Sequence, residues 1–175
     1  MQRQSLRVYV VCLASCNAGY TFGQWFTIDP LRSVWELERR VNAMLKASPK
    51  GHAWEWAIHG YDMGGIDAGK YPTLATLVAL ARLARFYGTS AVASALDHHD
   101  NDLPATIAML KRYQGSFDTL EAWGWTYLES TGALSKVPET LRAHLDVRSW
   151  AHLRATTSDF VAIRRAGETH VFCRP

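Results

Sequence analysis

Residues 7–20 read RVYVVCLASCNAGY and continue as GQW at residues 23–25, and this stretch carries the clearest structural signal in the chain. Residues 6–13 are rich in β-branched and other apolar side chains, a composition typical of a strand. A polar turn containing Gly19 follows, and residues 24–27 again have the character of a strand. Two short strands joined by a turn predict an antiparallel pair, so we expect a β-sheet near the N-terminus.

The segment after these strands predicts a helix of about four turns. Asp29 suits a helix N-cap and Pro30 suits the first helical position. Apolar residues then recur at helical spacing, before the chain reaches a Ser-Pro pair at residues 48–49. These residues are Leu31, Val34, Trp35, Val41, Met44 and Leu45.

A third strand is predicted after this helix. Residues 53–59 alternate between apolar and polar side chains, which places Trp54, Trp56 and Ile58 on one face. That face is expected to pack against the helix. Residues 1–60 therefore predict an N-terminal α+β domain.

The middle of the chain predicts helices only. The Gly- and Asp-rich residues 60–70 indicate a loop and a domain boundary. Helical spacing then begins at Thr73, and two shorter helical segments follow at residues 89–96 and 104–113. We expect residues 61–115 to form a helical middle domain.

The remaining residues, 116–175, predict a C-terminal α+β domain. Helices are expected at residues 116–130, 138–145 and 147–154, with Gly132 ending the first and Asp146 capping the last. Residues 159–163 and 169–173 predict a β-hairpin, whose Val161, Ile163 and Val171 offer an apolar edge for pairing. The fold class that follows is α+β, with three small domains.

The composition is typical of a globular protein and does not identify a binding partner. The chain of 175 residues is 48% hydrophobic and carries 19 Lys and Arg against 16 Asp and Glu, a net charge of +3. That charge is too small to argue for or against nucleic-acid binding. The apolar stretch near the N-terminus is too short for a signal peptide or a membrane span, so a cytoplasmic location is expected. Three cysteines, Cys12, Cys16 and Cys173, are expected to be reduced.

The chain contains none of the common catalytic motifs, such as a phosphate-binding loop or a nucleophile elbow, so we expect a protein that is not an enzyme and has no cofactor. One cluster resembles a metal site, at residues 97–102, DHHDND. We interpret it as a solvated turn in which Asp100, Asn101 or Asp102 caps the next helix, because adjacent histidines rarely point at one ion.

Aromatic and basic residues give a weak case for nucleic-acid binding. Tryptophan can stack on bases, but Trp35, Trp54, Trp56, Trp123 and Trp150 fall on predicted apolar faces, which favours core packing. The basic residues form isolated pairs, a pattern typical of solvated faces. These pairs are Arg39-Arg40, Lys111-Arg112 and Arg164-Arg165.

Several segments, in order along the chain, resemble the ArdA-type antirestriction proteins. The opening strand is similar to theirs, residues 55–62 (EWAIHGYD) are similar to their E-W-A-I-H-D-Y-E segment, and residues 113–123 (YQGSFDTLEAW) are similar to their Y-x-G-x-F/Y-x-S-L-E-E-W/F pattern. The resemblance implies three small domains in an elongated, curved subunit, and a homodimer. It also implies a strongly acidic mimic of DNA that occupies the DNA-binding channel of type I restriction-modification enzymes.

The chain departs from the family pattern in its charge. Cys16 stands where the family usually has an aromatic residue, Gly60 where it often has Asp, and residues 124–126 (GWT) where it is commonly rich in Glu. B-DNA carries a negative charge about every 1.7 Å of its axis, so a mimic needs a face with excess carboxylates. The residues expected to form a reduced acidic face are Asp62, Asp67, Asp97, Asp100, Asp102, Asp118 and Glu121.

Three functions remain open from the sequence. The first is an antirestriction protein that binds a type I restriction-modification enzyme through that acidic face. The second is an inhibitor of another host-defence complex, such as a CRISPR effector, through a mixed-charge surface. The third is a direct nucleic-acid binder that uses its basic ends, since residues 1–60 and 151–175 together hold an excess of five Lys and Arg; the isolated basic pairs disfavour it.

Overall fold

The computed structural model describes residues 5–50, 54–157 and 159–174. The chain divides into two units, Met1–Thr106 and Ile107–Pro175, and each contains one three-stranded antiparallel sheet with helices. The α+β class predicted from the sequence is confirmed. The division into three domains at residues 60 and 115 stays a prediction. Within the described ranges, no helix is long and apolar enough to cross a lipid bilayer.

The first unit is built on a sheet with the strand order β2-β1-β3. Its elements are β1 (Arg7–Cys12), α1 (Leu13–Asn17), β2 (Gly23–Thr27), α2 (Val34–Lys46), β3 (Trp56–Asp62), α3 (Leu74–Tyr87) and α4 (Thr89–His98). Helix α5 (Leu103–Leu110) crosses the division between the units. The predicted antiparallel pairing of the first two strands is confirmed, with Val8 opposite Phe26, and both side chains are fully buried.

Helix α2 begins at Val34 with Ser33 as its N-cap, and the predicted start at Asp29 and Pro30 was wrong. The Ser33 hydroxyl accepts a hydrogen bond from the backbone N–H of Glu36 at 3.3 Å, which satisfies one of the free donors of the first turn. Ser33 and Glu36 have the spacing of a capping box. The Asp29 carboxylate instead accepts from the N–H of Leu31 at 2.9 Å, in a turn before the helix.

Two tryptophans expected in the core are exposed, and those predictions were wrong. Trp35 is 64% exposed, because it lies on the face of α2 opposite the buried Leu37 and Val41. Trp54 is 75% exposed, because β3 begins only at residue 56. Ile58 is buried as predicted and Trp56 is half-buried, whereas residue 53 of the predicted strand lies outside the described residues.

The helices predicted from Thr73 onward are present. Thr73 caps α3 by accepting a hydrogen bond from the N–H of Thr76 at 3.0 Å. Gly88 separates α3 from α4 in a backbone conformation with φ of 84°, which glycine adopts without the strain that a β-carbon adds. The third predicted helix ends at Leu110, three residues earlier than expected.

The second unit contains a sheet with the order β4-β6-β5. Its elements are β4 (Tyr113–Phe117), α6 (Leu120–Ser130), a 3-10 turn (Leu134–Lys136), α7 (Glu139–Arg142), α8 (Val147–Thr156), β5 (Phe160–Arg165) and β6 (Glu168–Cys173). The predicted hairpin of β5 and β6 is confirmed. Its turn residues, Ala166 and Gly167, both have positive φ, as a two-residue turn of type I′ requires.

The helix predicted from residue 116 starts later than expected. Residues 116–117 end strand β4, and Thr119 caps α6 by accepting from the N–H of Ala122 at 3.1 Å. The predicted cap at Asp146 is confirmed, since its carboxylate accepts from the N–H of Ser149 at 2.9 Å. Hydrogen bonds from the backbone N–H and the hydroxyl of Ser149 lower the pKa of Asp146.

Aromatic rings fill the core of the second unit. Trp123, 1% exposed, packs edge-on against Phe160 at 4.7 Å between ring centroids and stacks with Trp150 at 5.9 Å. Helix α8 comes so close to α6 that a β-carbon at Gly124 would lie 2.8 Å from Cγ1 of Val147. The core positions predicted for Trp123 and Trp150 are confirmed, with Trp150 half-buried at the edge.

Candidate partner-binding surfaces

Three of the predicted acidic residues lie where α4 leads into α5: Asp97 in the last turn of α4, and Asp100 and Asp102 in the turn that follows. Asp100 and Asn101 have φ values of 49° and 68°, the left-handed conformation that Asp and Asn tolerate better than most residues. The N–H of Asn101 reaches back to the carbonyl of Leu96 at 3.0 Å, which reverses the chain. Asp97, Asp100 and Asp102 are all exposed, so this segment presents three carboxylates to solvent within six residues.

The same turn caps the following helix, as the sequence indicated. Asp102 accepts a hydrogen bond from the N–H of Ala105 at 2.8 Å, and its carbonyl accepts from the hydroxyl of Thr106 at 2.7 Å. Among the described residues, no group of three or more His, Cys, Asp or Glu side chains is arranged to hold a metal ion. Asp102 acts as the cap of α5 through Oδ1, and its Oδ2 can accept a hydrogen bond from another donor.

Asp62 and Asp67 lie near the end of β3 and have different surroundings. The guanidinium of Arg7 donates to Oδ2 of Asp62 from Nη2 at 2.5 Å and from Nε at 3.1 Å, which neutralises that carboxylate. The Asp67 carboxylate is exposed and accepts from the N–H of Gly69 at 2.8 Å. Burial, with Asp67 nearby, raises the pKa of Tyr61 to about 12.

Asp118 and Glu121 flank the N-cap of α6 and belong to the second unit. Both are exposed, and Glu121 lies in the first turn, where a negative charge is favoured by the helix dipole. The guanidinium of Arg164 donates to the backbone carbonyl of Asp118 at 3.3 Å. The structure thus groups the seven predicted acidic residues into three local sets, two in the first unit and one in the second.

A cationic and aromatic surface on the first sheet was not foreseen from the sequence. Tyr9 lies between Trp25 and Gly60 on neighbouring strands, with its ring centroid 5.5 Å from that of Trp25. Arg7, which pairs with Asp62, also lies 5.4 Å from the Trp25 ring centroid. The alternation of β1, in which Val8 and Val10 are apolar and Arg7 and Tyr9 are not, was the signal for an outward face.

A second such surface lies on α2. Trp35 lies in the first turn of α2, one turn before Arg39, and the Arg39 guanidinium lies 5.2 Å from the Trp35 ring centroid. Because each residue advances about 100° around a helix, Trp35 points away from Leu37 and Val41. This angular position follows from the spacing of Trp35, Leu37 and Val41 in the sequence, and it indicates a solvent-facing tryptophan.

A family model described as antirestriction protein (ArdA) matches residues 8–166 of this chain. The chain belongs to the ArdA family. Comparison with curated proteins finds no match. The family resemblance noted in the sequence is therefore confirmed over all but the first seven and last nine residues.

The segments that resemble ArdA sequences have structural roles in this family member. Residues 55–62 form β3 with the residue before it, and residues 113–123 form β4 and the start of α6. Tyr113 packs on Phe172 at 5.0 Å between ring centroids, and its Oη lies 2.9 Å from Nδ1 of the buried His170. These ArdA-like segments supply one strand of each sheet and the start of α6, and they include three of the seven acidic residues, Asp62, Asp118 and Glu121.

Proposed function

We propose that this ArdA family protein acts by binding, not by catalysis, and occupies the DNA-binding channel of a type I restriction-modification enzyme as a DNA mimic. The family supports a role in antirestriction. The partner-binding residues we assign are all exposed carboxylates: in the first unit Asp67, Asp97, Asp100 and Asp102, and in the second unit Asp118 and Glu121. Asp62 contributes least, because Arg7 already pairs with it.

The observation that carries this proposal is the turn between α4 and α5. Asp97 lies in the last turn of α4, and the left-handed Asp100 and Asn101 lead from that helix to Asp102, so three exposed carboxylates fall within six residues. Among the described residues, Asp100 and Asp102 take part in no ion pair. A basic DNA-binding channel would supply the missing cations.

The experiment neutralises this turn without disturbing its backbone. A variant carrying Asp97→Asn, Asp100→Asn and Asp102→Asn keeps a residue that tolerates the left-handed conformation at position 100 and a good N-cap at position 102. Labelled duplex DNA bound to a type I methyltransferase is titrated with protein, and its displacement is followed by fluorescence anisotropy. We expect the variant to need at least about tenfold more protein for half displacement.

A matched control removes the same charge elsewhere. Glu129, Glu139 and Glu168 are exposed and lie outside the proposed surface, so Glu129→Gln, Glu139→Gln and Glu168→Gln together should displace DNA like the unmodified protein. Equal displacement by the turn variant and the unmodified protein would remove the turn from the proposed surface. Failure of the unmodified protein to displace DNA would reject mimicry altogether.

The contacts of Arg7 favour a second candidate, an inhibitor of another host-defence complex through a mixed-charge surface. Arg7, Asp62 and Trp25 place a cation, a carboxylate and an exposed indole together on the first sheet. Binding through such a surface should depend only weakly on salt, because attractive and repulsive charges offset each other. A steep loss of affinity with salt would contradict it.

A homodimer remains part of the proposal, through the edge of the second sheet. Strand β5 is an edge strand, and its Val161, Ala162 and Ile163 are half-buried. Val171 is fully buried on the central strand and is not part of that edge. Sedimentation at micromolar concentration should give a dimer, and Ile163→Lys should shift it to monomer.

A further inference from the structure

The solvent-facing side of α2 carries a continuous stripe that the core does not use. Leu31 in the preceding turn is 68% exposed, and Trp35 is 64% exposed. Arg39 and Lys46 continue the same side at helical spacing, and both are exposed. Isolated exposed apolar residues are ordinary, but an exposed Trp at helical spacing from two cations forms a patch on α2.

A groove of about 350 Å³ runs along this stripe. It is lined by Trp35, Glu38, Arg39, Asn42, Ala43 and Lys46. Ala43 leaves room for a side chain from outside, and the Asn42 amide offers both a donor and an acceptor. The groove therefore has an apolar wall, a small floor residue and polar groups at its rim.

The charges of the groove select an acidic occupant. Among the residues that line the groove, Arg39 and Lys46 are positively charged and Glu38 is negatively charged, so the lining has an excess of positive charge. Arg32 adds little, because its guanidinium already pairs with Glu36 at 2.6 Å and with Asp29 at 3.4 Å. Trp and Arg are also the residues that contribute most often to the binding energy of protein interfaces.

A nucleic acid fits this groove less well than a protein. Binding of a single strand relies on a run of cations along the phosphates and on open aromatic faces. Here Glu38 lines the same groove as the two cations, and the Arg39 guanidinium lies over the Trp35 ring, 5.2 Å from its centroid. The straight row of side chains at helical spacing matches a second helix instead.

We propose that this face of α2 docks an acidic amphipathic helix of a partner protein. The apolar residues of that helix pack on Trp35 and Ala43, and its carboxylates pair with Arg39 and Lys46. This surface is separate in sequence from the acidic turn at residues 97–102 and has the opposite charge. Binding here therefore stands or falls independently of DNA mimicry.

The probe is a synthetic peptide of about 20 residues, long enough to form a helix, with Leu at helical spacing and Glu at most other positions. Binding is followed by the indole N–H signal of Trp35 in a nitrogen-15 NMR spectrum of the full chain, assigned with Trp35→Phe. We expect that signal to shift on titration. Arg39→Gln with Lys46→Gln should weaken binding by at least about tenfold.

The controls separate this site from general charge effects. Arg142→Gln with Arg148→Gln removes two exposed cations of the second unit and should leave peptide binding unchanged. A peptide with Lys in place of Glu should leave the Trp35 signal in place. No shift with the Glu peptide, an equal shift with the Lys peptide, or a larger shift with a thymidine oligonucleotide would overturn the proposal.

Discussion

The indole of Trp25 lies against the backbone of Gly60, two strands away across the first sheet. A β-carbon on residue 60 would lie 3.3 Å from Cη2 of Trp25 and 3.4 Å from Cβ of Tyr9. The absence of a side chain at residue 60 therefore allows the indole to rest on the sheet, where Arg7 stacks on it. One glycine thus shapes the mixed-charge surface of the first unit.

Gly60→Ala should move this indole with little change in stability. Trp25 is 46% exposed and can shift outward, while alanine recovers the roughly 0.5–1 kcal/mol that glycine costs within a strand. We expect the Trp25 indole N–H signal, assigned with Trp25→Phe, to shift while the free energy of unfolding changes by less than about 1 kcal/mol. An unchanged signal would show that the close approach does not position the ring.

Gly124→Ala should destabilise the second unit. The new methyl would lie 2.8 Å from Cγ1 of Val147 and 3.1 Å from Cβ of Ala151, so α6 and α8 must separate. Overpacking costs about 1–3 kcal/mol, which exceeds the gain of about 1 kcal/mol in helix propensity. Urea denaturation measures the loss, and adding Val147→Ala should restore part of it. A stabilised single variant would contradict the packing described for these helices.

Trp123→Ala and Trp54→Ala form a matched pair of tryptophan deletions. Trp123 is 1% exposed and packs on Tyr127, Trp150 and Phe160, so its loss should cost about 3–5 kcal/mol. Trp54 is 75% exposed, so its loss should change the free energy of unfolding by less than about 0.5 kcal/mol. Denaturant unfolding of both variants tests the contrast, and similar losses would contradict it.

Ser94→Ala should stabilise the first unit. The Ser94 hydroxyl is buried within α4 and has no hydrogen-bond partner in the part of the chain that the structure describes. Alanine removes this unsatisfied group and is the better helix former, for a gain of up to about 1 kcal/mol. Thermal unfolding measures the change. As a control, Ala75→Ser makes the reverse substitution at an exposed position of α3. A lower melting temperature for Ser94→Ala would indicate a partner for the hydroxyl.

Lowering the pH should reduce the stability of the second unit, because protonation of His170 is less favourable in the folded chain than in the unfolded chain. Burial lowers the pKa of this histidine below its ordinary 6.5, and the nearby Arg165 adds to the effect while Glu168 opposes it. The unfolded chain therefore binds the proton more readily, so stability is full above pH 6.5 and falls as the pH drops through that value. Urea denaturation at about pH 7.5 and pH 5.5 should show this fall. His170→Gln should reduce the pH dependence, whereas His152→Gln, on the exposed side of α8, should not.

Local sequence signals predicted the elements that depend on near neighbours. The helix that begins at Thr73, the cap at Asp146 and the hairpin of β5 and β6 depend on contacts within a few residues, so composition and spacing predict them. Strand β4 was missed because its partner, β6, lies more than 50 residues further along the chain. A five-residue segment, YQGSF, has no periodicity strong enough to indicate that pairing.

The candidate surfaces were only partly predictable from the sequence. The acidic residues were found from charge alone, but the pairing of Asp62 with Arg7 depends on the register of β1 and β3. The hydrophobicity of Trp35 predicts a core position, but its position around α2, opposite Leu37 and Val41, places it in solvent. Gly60 gave no signal of its role, since the ring that lies on it comes from a different strand.

The order of strands in the second sheet determines when that sheet can form during translation. Its central strand, β6, is the last of the three along the chain, so β4 and β5 leave the ribosome before the strand that joins them. The first sheet has all three of its strands once Asp62 has been synthesised. A chain halted before residue 168 would carry a complete first sheet beside two strands with unpaired edges, which are prone to aggregation.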